Sequence, residues 1–135
     1  MINIKSIAVK EKACEFEIPG YEGFKVNLSY LAKDKLRELV EKSTERKYTK
    51  GQGMKEQLDP QKFQSIYASH VVKGWEGLKF EYLERLMLVE ADGVDKSELV
   101  PFSVENAEEL LKNSTEFDQF VSDCLSDLAN FTKAA

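Results

Sequence analysis

Residues 13–18 alternate, with Cys14, Phe16 and Ile18 on one side and Ala13, Glu15 and Glu17 on the other, which predicts a half-buried strand. A turn-forming run, Pro19-Gly20-Tyr21-Glu22-Gly23, separates it from a second alternating stretch in which Phe24, Val26, Leu28 and Tyr30 oppose Lys25, Asn27 and Ser29. The two read as a hairpin. Ile2, Ile4, Ile7 and Val9 predict a further strand whose alternation changes phase near Ser6, as a bulge would make it do, before the charged turn Lys10-Glu11-Lys12. The first 30 residues are thus expected to form a small antiparallel sheet of about three strands.

From Ala32 the period lengthens. Ala32, Leu36, Leu39 and Val40 share one helical stripe, opposite Lys, Arg and Glu, over a helix expected to end near Arg46. Residues 48–58 are polar, contain Gly51 and Gly53, and read as a mobile loop. Asp59 followed by Pro60 is a helix start, because a carboxylate can accept from free backbone N–H groups while proline's fixed φ suits the first helical position. Phe63, Ile66, Tyr67, His70 and Val71 lie on one face of that helix, and Gly74 is expected to end it. A shorter helix is predicted over about Lys79 to Leu88, then an acidic turn, Ala91-Asp92-Gly93-Val94-Asp95. Ser103 is placed to cap a helix carrying Val104, Ala107, Leu110 and Leu111. Thr115 is placed to cap the last one, on which Phe117, Phe120, Val121, Cys124, Leu125, Leu128 and Phe131 recur at helical spacing. The class expected is therefore α+β, a small amino-terminal antiparallel sheet followed by four to five helices over 32–131.

A chain of 135 residues suits a single domain, since splitting it would leave each half too little core. Hydrophobic residues make up 42% and charged residues 32%, enough apolar surface to fold without disulfides or a structural metal. Nineteen Lys and Arg against 24 Asp and Glu give a net charge of -5, which argues against a nucleic-acid partner. Asn3, Lys5 and Ser6 interrupt the apolar run that an export signal needs, and no stretch approaches the roughly 18 apolar residues of a membrane span. A soluble, cytoplasmic protein without a membrane partner is expected. Cys14 and Cys124 each fall on an apolar face and are expected to be reduced, buried thiols.

Little here suggests chemistry. His70 is the only histidine, so multi-histidine metal sites are excluded, and its place on an apolar stripe suits a hydrogen-bonded boundary residue. The segment Lys50-Gly51-Gln52-Gly53-Met54-Lys55 lacks the spacing of a phosphate loop, although Arg46, Lys47, Lys50 and Lys55 make a basic cluster that could meet an acidic partner. The turn Asp92-Gly93-Val94-Asp95 lacks the ligand spacing of a calcium loop. Carboxylates sit on helix polar faces and caps, where nothing raises a pKa for acid–base work. No acid–base or nucleophile set can be assembled, so neither an enzyme nor a cofactor is expected. The lone tryptophan, Trp75, lies between Gly74 and Glu76-Gly77-Leu78, and reads as a core filler that could also contact a partner.

Three segments, in order, carry a family resemblance: Val71-Val72-Lys73-Gly74-Trp75-Glu76-Gly77-Leu78; Val100-Pro101-Phe102-Ser103-Val104-Glu105-Asn106-Ala107 with Leu110-Leu111; and Phe117 to Phe131. Together with Tyr30-Leu31 before a helix, they resemble the tail assembly chaperones of siphophage-like bacteriophage tails over about Phe24 to Phe131. The resemblance implies a protein, in the cytoplasm of the bacterial host, that coats the long helical tape measure protein and keeps it soluble. Tube subunits then displace it, so it is absent from the finished virion. It implies the tape measure protein as partner, with tail tube protein as a further partner through longer frameshifted forms, and leaves self-association open. No catalytic residues carry over. Trp75, Gly77, Leu78, Phe117, Phe120 and Leu128 become candidate partner-binding or fold-determining residues, with a client groove expected beside Trp75–Leu78 and the last helix. The competing expectation is another tail morphogenesis or connector protein, one that stays in the virion.

Overall fold

The computed structural model describes residues 2–51 and 53–132. Its elements run in the order α1 (Ile4–Ile7), β1 (Glu11–Glu17), β2 (Lys25–Leu31), α2 (Lys33–Lys42), β3 (Thr44–Thr49), β4 (Gly53–Leu58), α3 (Pro60–Val71), β5 (Val72–Glu76), α4 (Phe80–Leu86), α5 (Val104–Asn113), α6 (Thr115–Ser126) and α7 (Ala129–Thr132). The fold is α+β, as expected, with a three-stranded antiparallel sheet ordered β1-β2-β5.

The hairpin lies where the alternation placed it, with Glu11 opposite Leu31 and Glu17 opposite Lys25. The third strand does not come from the amino terminus. Residues 4–7 form one short helical turn, started by the Asn3 side chain accepting from the Lys5 amide, and no residue of it is buried. The third place is taken by β5, whose Trp75 and Glu76 oppose Val26 and Lys25, with a bulge at Asn27/Leu28. Gly74 accordingly lies within a strand, and α3 ends at Val71 without it.

Burial explains the pairing. Phe24, Val26 and Leu28 are fully buried from one face of the sheet, and they meet Leu39 of α2, Ala68 and Val71 of α3, Leu110 and Leu111 of α5, and Phe117, Val121 and Cys124 of α6 in one contiguous core. At roughly 1.5–3 kcal/mol per large buried apolar side chain, this core outweighs any local preference of Val72–Glu76 for a turn.

Several helix ends differ from those expected. α2 stops at Lys42 because the Ser43 and Thr44 hydroxyls donate to the Leu39 and Val40 carbonyls, at 2.8 and 2.7 Å, and draw the backbone out of the helix. The residues read as a mobile loop form most of a second, two-stranded sheet, in which Thr44 pairs with Leu58 and Thr49 with Gly53. Gln52 of that stretch lies outside the described residues. β4 is exposed throughout, so no apolar alternation marks it in the sequence.

Asp59 caps α3 as expected, accepting from the Gln61 and Lys62 amides, and Ser103 caps α5 by accepting from Asn106. The cap of α6 is Ser114, one residue before Thr115, with its oxygen 3.1 Å from the Phe117 amide. The last apolar run breaks at Asp127, whose carboxylate accepts from the Ala129 amide and starts α7. This turns Phe131 back onto Phe16 and Tyr30, with ring centroids at 5.4 and 5.6 Å.

Candidate partner-binding site

An apolar concavity forms where β5 leaves the sheet. Pairing with Val26 fixes Trp75 in the strand, its indole N–H donates to the Val100 carbonyl at 3.0 Å, and the Phe102 ring meets it edge-on at 5.1 Å. Gly77 then turns the chain at φ +75°, so close to the preceding hairpin turn that an added Cβ would sit 1.9 Å from the Gly23 carbonyl oxygen. Only glycine fits here.

Beyond the turn, Leu78 and Val100 are tied by a 2.7 Å bond from the Val100 amide, and the Phe80 amide donates to Glu98 at 2.8 Å. This strap brings residues 96–100 over the start of α4. The Asn106 side chain on α5 donates to the Pro101 carbonyl at 2.9 Å and closes the far side.

The result is a pocket of about 140 Å³ with Trp75, Leu78 and Val100 on one side, Leu83 of α4 and the residue that ends that helix, Met87, on another, and Asn106, Glu109 and Leu110 of α5 on the third. Drug-sized ligands occupy roughly 300–1,000 Å³. This space instead suits the end of one apolar side chain.

Of the six candidate residues, Trp75 and Leu78 line this pocket and Gly77 sets its backbone. Phe117 is fully buried, its ring stacked on Phe24 at 6.4 Å, and Phe24 stands between it and Trp75. Phe120 is half-buried in a separate shallow groove with Ile18, Pro19 and Gln119. Leu128 is 58% exposed in the break between α6 and α7. The expected groove between Trp75–Leu78 and the last helix is therefore not formed: α6 turns Phe117, Val121 and Cys124 into the core, and α5 supplies the wall instead. Leu83 and Met87 fall within the helix expected over Lys79 to Leu88, whereas Glu109 carries no mark that separates it from any other surface carboxylate.

Two titratable groups at the margin of the core carry shifted pKa values. His70 sits at the edge of the core, where burial, followed by the charge of Lys73, lowers its pKa. Its Nδ1 makes no hydrogen bond, contrary to expectation, and Glu11 lies 3.9 Å away. Tyr21 donates to Glu116, and burial followed by that bond pushes its pKa up to about 12. The Arg85 guanidinium covers the Tyr21 ring at 4.3 Å. These contacts tie the 19–23 turn to α4 and α6.

Cys124 is buried, but Cys14 is only half-buried, a correction to the expectation for both thiols. Among the described residues, no three His, Cys, Asp or Glu side chains gather to hold a metal ion, and no helix is long and apolar enough to cross a membrane.

No curated protein and no solved structure matches the chain. A family model, that of the YdaY prophage protein, matches residues 30–135, the greater part of the chain, including every residue around the Trp75 pocket. The chain therefore belongs to the YdaY prophage protein family.

Proposed function

We propose that this prophage protein is a tail assembly chaperone, which binds the tape measure protein in the host cytoplasm, keeps it soluble and is released before the tail is complete. It works by reversible binding, without catalysis or a cofactor. The observation that carries the reading is the Trp75 pocket, an apolar recess of one side chain's size that opens beside two helices. A client helix presenting leucines or aromatic residues at successive turns could seat one of them there, in the helix-in-groove manner. Small recesses held by modest apolar burial release a client readily, as a chaperone that gives way to tube subunits must. The segments Val71–Leu78, Val100–Ala107 with Leu110-Leu111, and Phe117–Phe131, in that order, support the same reading, and the prophage family is consistent with it.

The test is co-expression with the tape measure protein of the same prophage, with parent chain and Met87→Glu compared. Met87 is half-buried at the pocket, so a carboxylate there should leave folding intact and close the recess to apolar side chains. The parent should hold the tape measure protein in the soluble fraction and the variant should not. A parent that never solubilises it would sink the chaperone reading, and a folded variant that still does would move the contact away from the pocket. Detection of the chain in purified virions would favour a resident tail or connector protein.

A further inference from the structure

Residues 2–9 expose four large apolar side chains. Ile2 is 81% exposed, Ile4 77%, Ile7 63% and Val9 58%. Their only regular structure is α1, a single turn with no buried residue, and so short a helix has almost no stability of its own.

Immediately after them comes β1, an edge of the sheet. The Ala32 amide donates to the Lys10 carbonyl and the Ile18 amide to Phe24, which fixes the hydrogen-bonded pairs with β2 as positions 10, 12, 14, 16 and 18 of the first strand. The N–H and C=O groups of Glu11, Ala13, Glu15 and Glu17 consequently point outward, and no described strand lies beyond them. On the core face of the same edge, Cys14 and Phe16 are only half-buried.

From these complementary features we infer that two copies of the chain associate by exchanging amino-terminal segments, Ile2–Val9 of each copy pairing as a strand on the outer edge of β1 of the other. The proposal is independent of the chaperone reading. Eight residues face an edge of seven, so the lengths agree. Setting Ile2 and Ile4 toward the core face covers Cys14 and Phe16, and it turns Lys5 toward the row Glu11, Glu15 and Glu17. Opposite charges across neighbouring strands favour that pairing. The exchange is reciprocal, so each copy covers the β1 edge of the other and buries its own Ile2 and Ile4 in a closed two-fold dimer.

The test is the mass of the full chain in solution by light scattering, up to about 1 mM, the weak end of specific association. The parent should have twice the 15.4 kDa mass of the single chain. The double variant Ile4→Asp with Ile7→Asp alters only exposed side chains, so it should melt like the isolated parent chain and stay at the single-chain mass. Ala13→Pro removes one outward N–H without touching the ladder to β2, and should do the same.

Hydrogen exchange supplies a readout that needs no folded proline variant: the Ala13 and Glu15 amides should be protected in the parent at high concentration and exchange freely in the aspartate variant. A parent of single-chain mass throughout, an aspartate variant that still doubles, or outward amides that exchange equally fast in both would each overturn the proposal.

Discussion

Gly77→Ala should be among the most damaging small substitutions this chain can carry, and the structure sets the magnitude. At φ +75° any residue with a Cβ meets its own carbonyl, at about 1–2 kcal/mol. The new methyl would also stand 1.9 Å from the Gly23 oxygen and 2.8 Å from its carbonyl carbon, both backbone atoms that cannot rotate away. Relief requires the two turns to part by roughly an ångström, and forced displacement of well-packed structure costs about 1–3 kcal/mol.

The sum, about 2–5 kcal/mol, is a large share of the roughly 5–15 kcal/mol that holds a domain folded. Two other glycines provide controls. Gly23 has φ +84° but nothing within 4 Å of its added Cβ, so Gly23→Ala should show the conformational cost alone, about 1–2 kcal/mol. Gly74 has open space and no positive φ, so Gly74→Ala should lie between neutral and about 1 kcal/mol stabilising. Urea unfolding followed by Trp75 fluorescence gives all three from the midpoints, provided the slopes agree. If Gly77→Ala proved no worse than Gly23→Ala, the close approach of the turns would be refuted, and with it the account of how the Trp75 pocket is set.

Tyr21 titrates at about 12 in the folded chain against about 10 unfolded. Its contribution is complete below pH 10 and lost as pH rises toward 12, so urea midpoints should fall across that window, and Tyr21→Phe should flatten the fall. For His70 the sign is opposite. Burial lowers its folded pKa, so the unfolded chain takes up the proton first and stability should decline as pH drops below about 6.5, a decline that His70→Leu removes. Burial, followed by the charge of Asp123, pushes the Cys124 thiol up to about 11, so in dilute native protein a thiol reagent should modify Cys14 well before Cys124.

The parts of the fold legible in the sequence are those whose cause is local. Asp59-Pro60 and Ser103 announce their helices because a cap acts within three residues, and the hairpin is legible because its apolar positions alternate against a real core. Strand β5 was hidden: Val72-Lys73-Gly74-Trp75-Glu76 has no alternation to speak of, and it becomes a strand because β2 offers it a buried edge. Conversely, the pattern over Ile2–Val9 resembles a strand but finds no partner strand among the described residues. Ser43 and Thr44 shortened α2 through side-chain bonds to carbonyls, a competition that composition alone does not resolve.

The candidate site divides along the same line. Trp75 and Leu78 were legible because an aromatic between glycines is a local signal. The neighbours that make a recess of them, Val100, Asn106, Glu109 and Leu110, lie 22 or more residues away and arrive through the strap and the turn at Gly77. Leu128 continues the helical stripe in the sequence, but the chain turns at Asp127 so that Phe131 rather than Leu128 is buried. This arrangement also separates the two proposed contacts. The pocket lies wholly within residues 30–135, the stretch that the family model matches. The exposed isoleucines and the β1 edge lie before residue 30, on the far strand of the sheet from β5. Charging Ile4 and Ile7 should therefore abolish self-association without touching client capture, and closing the pocket at Met87 should do the reverse.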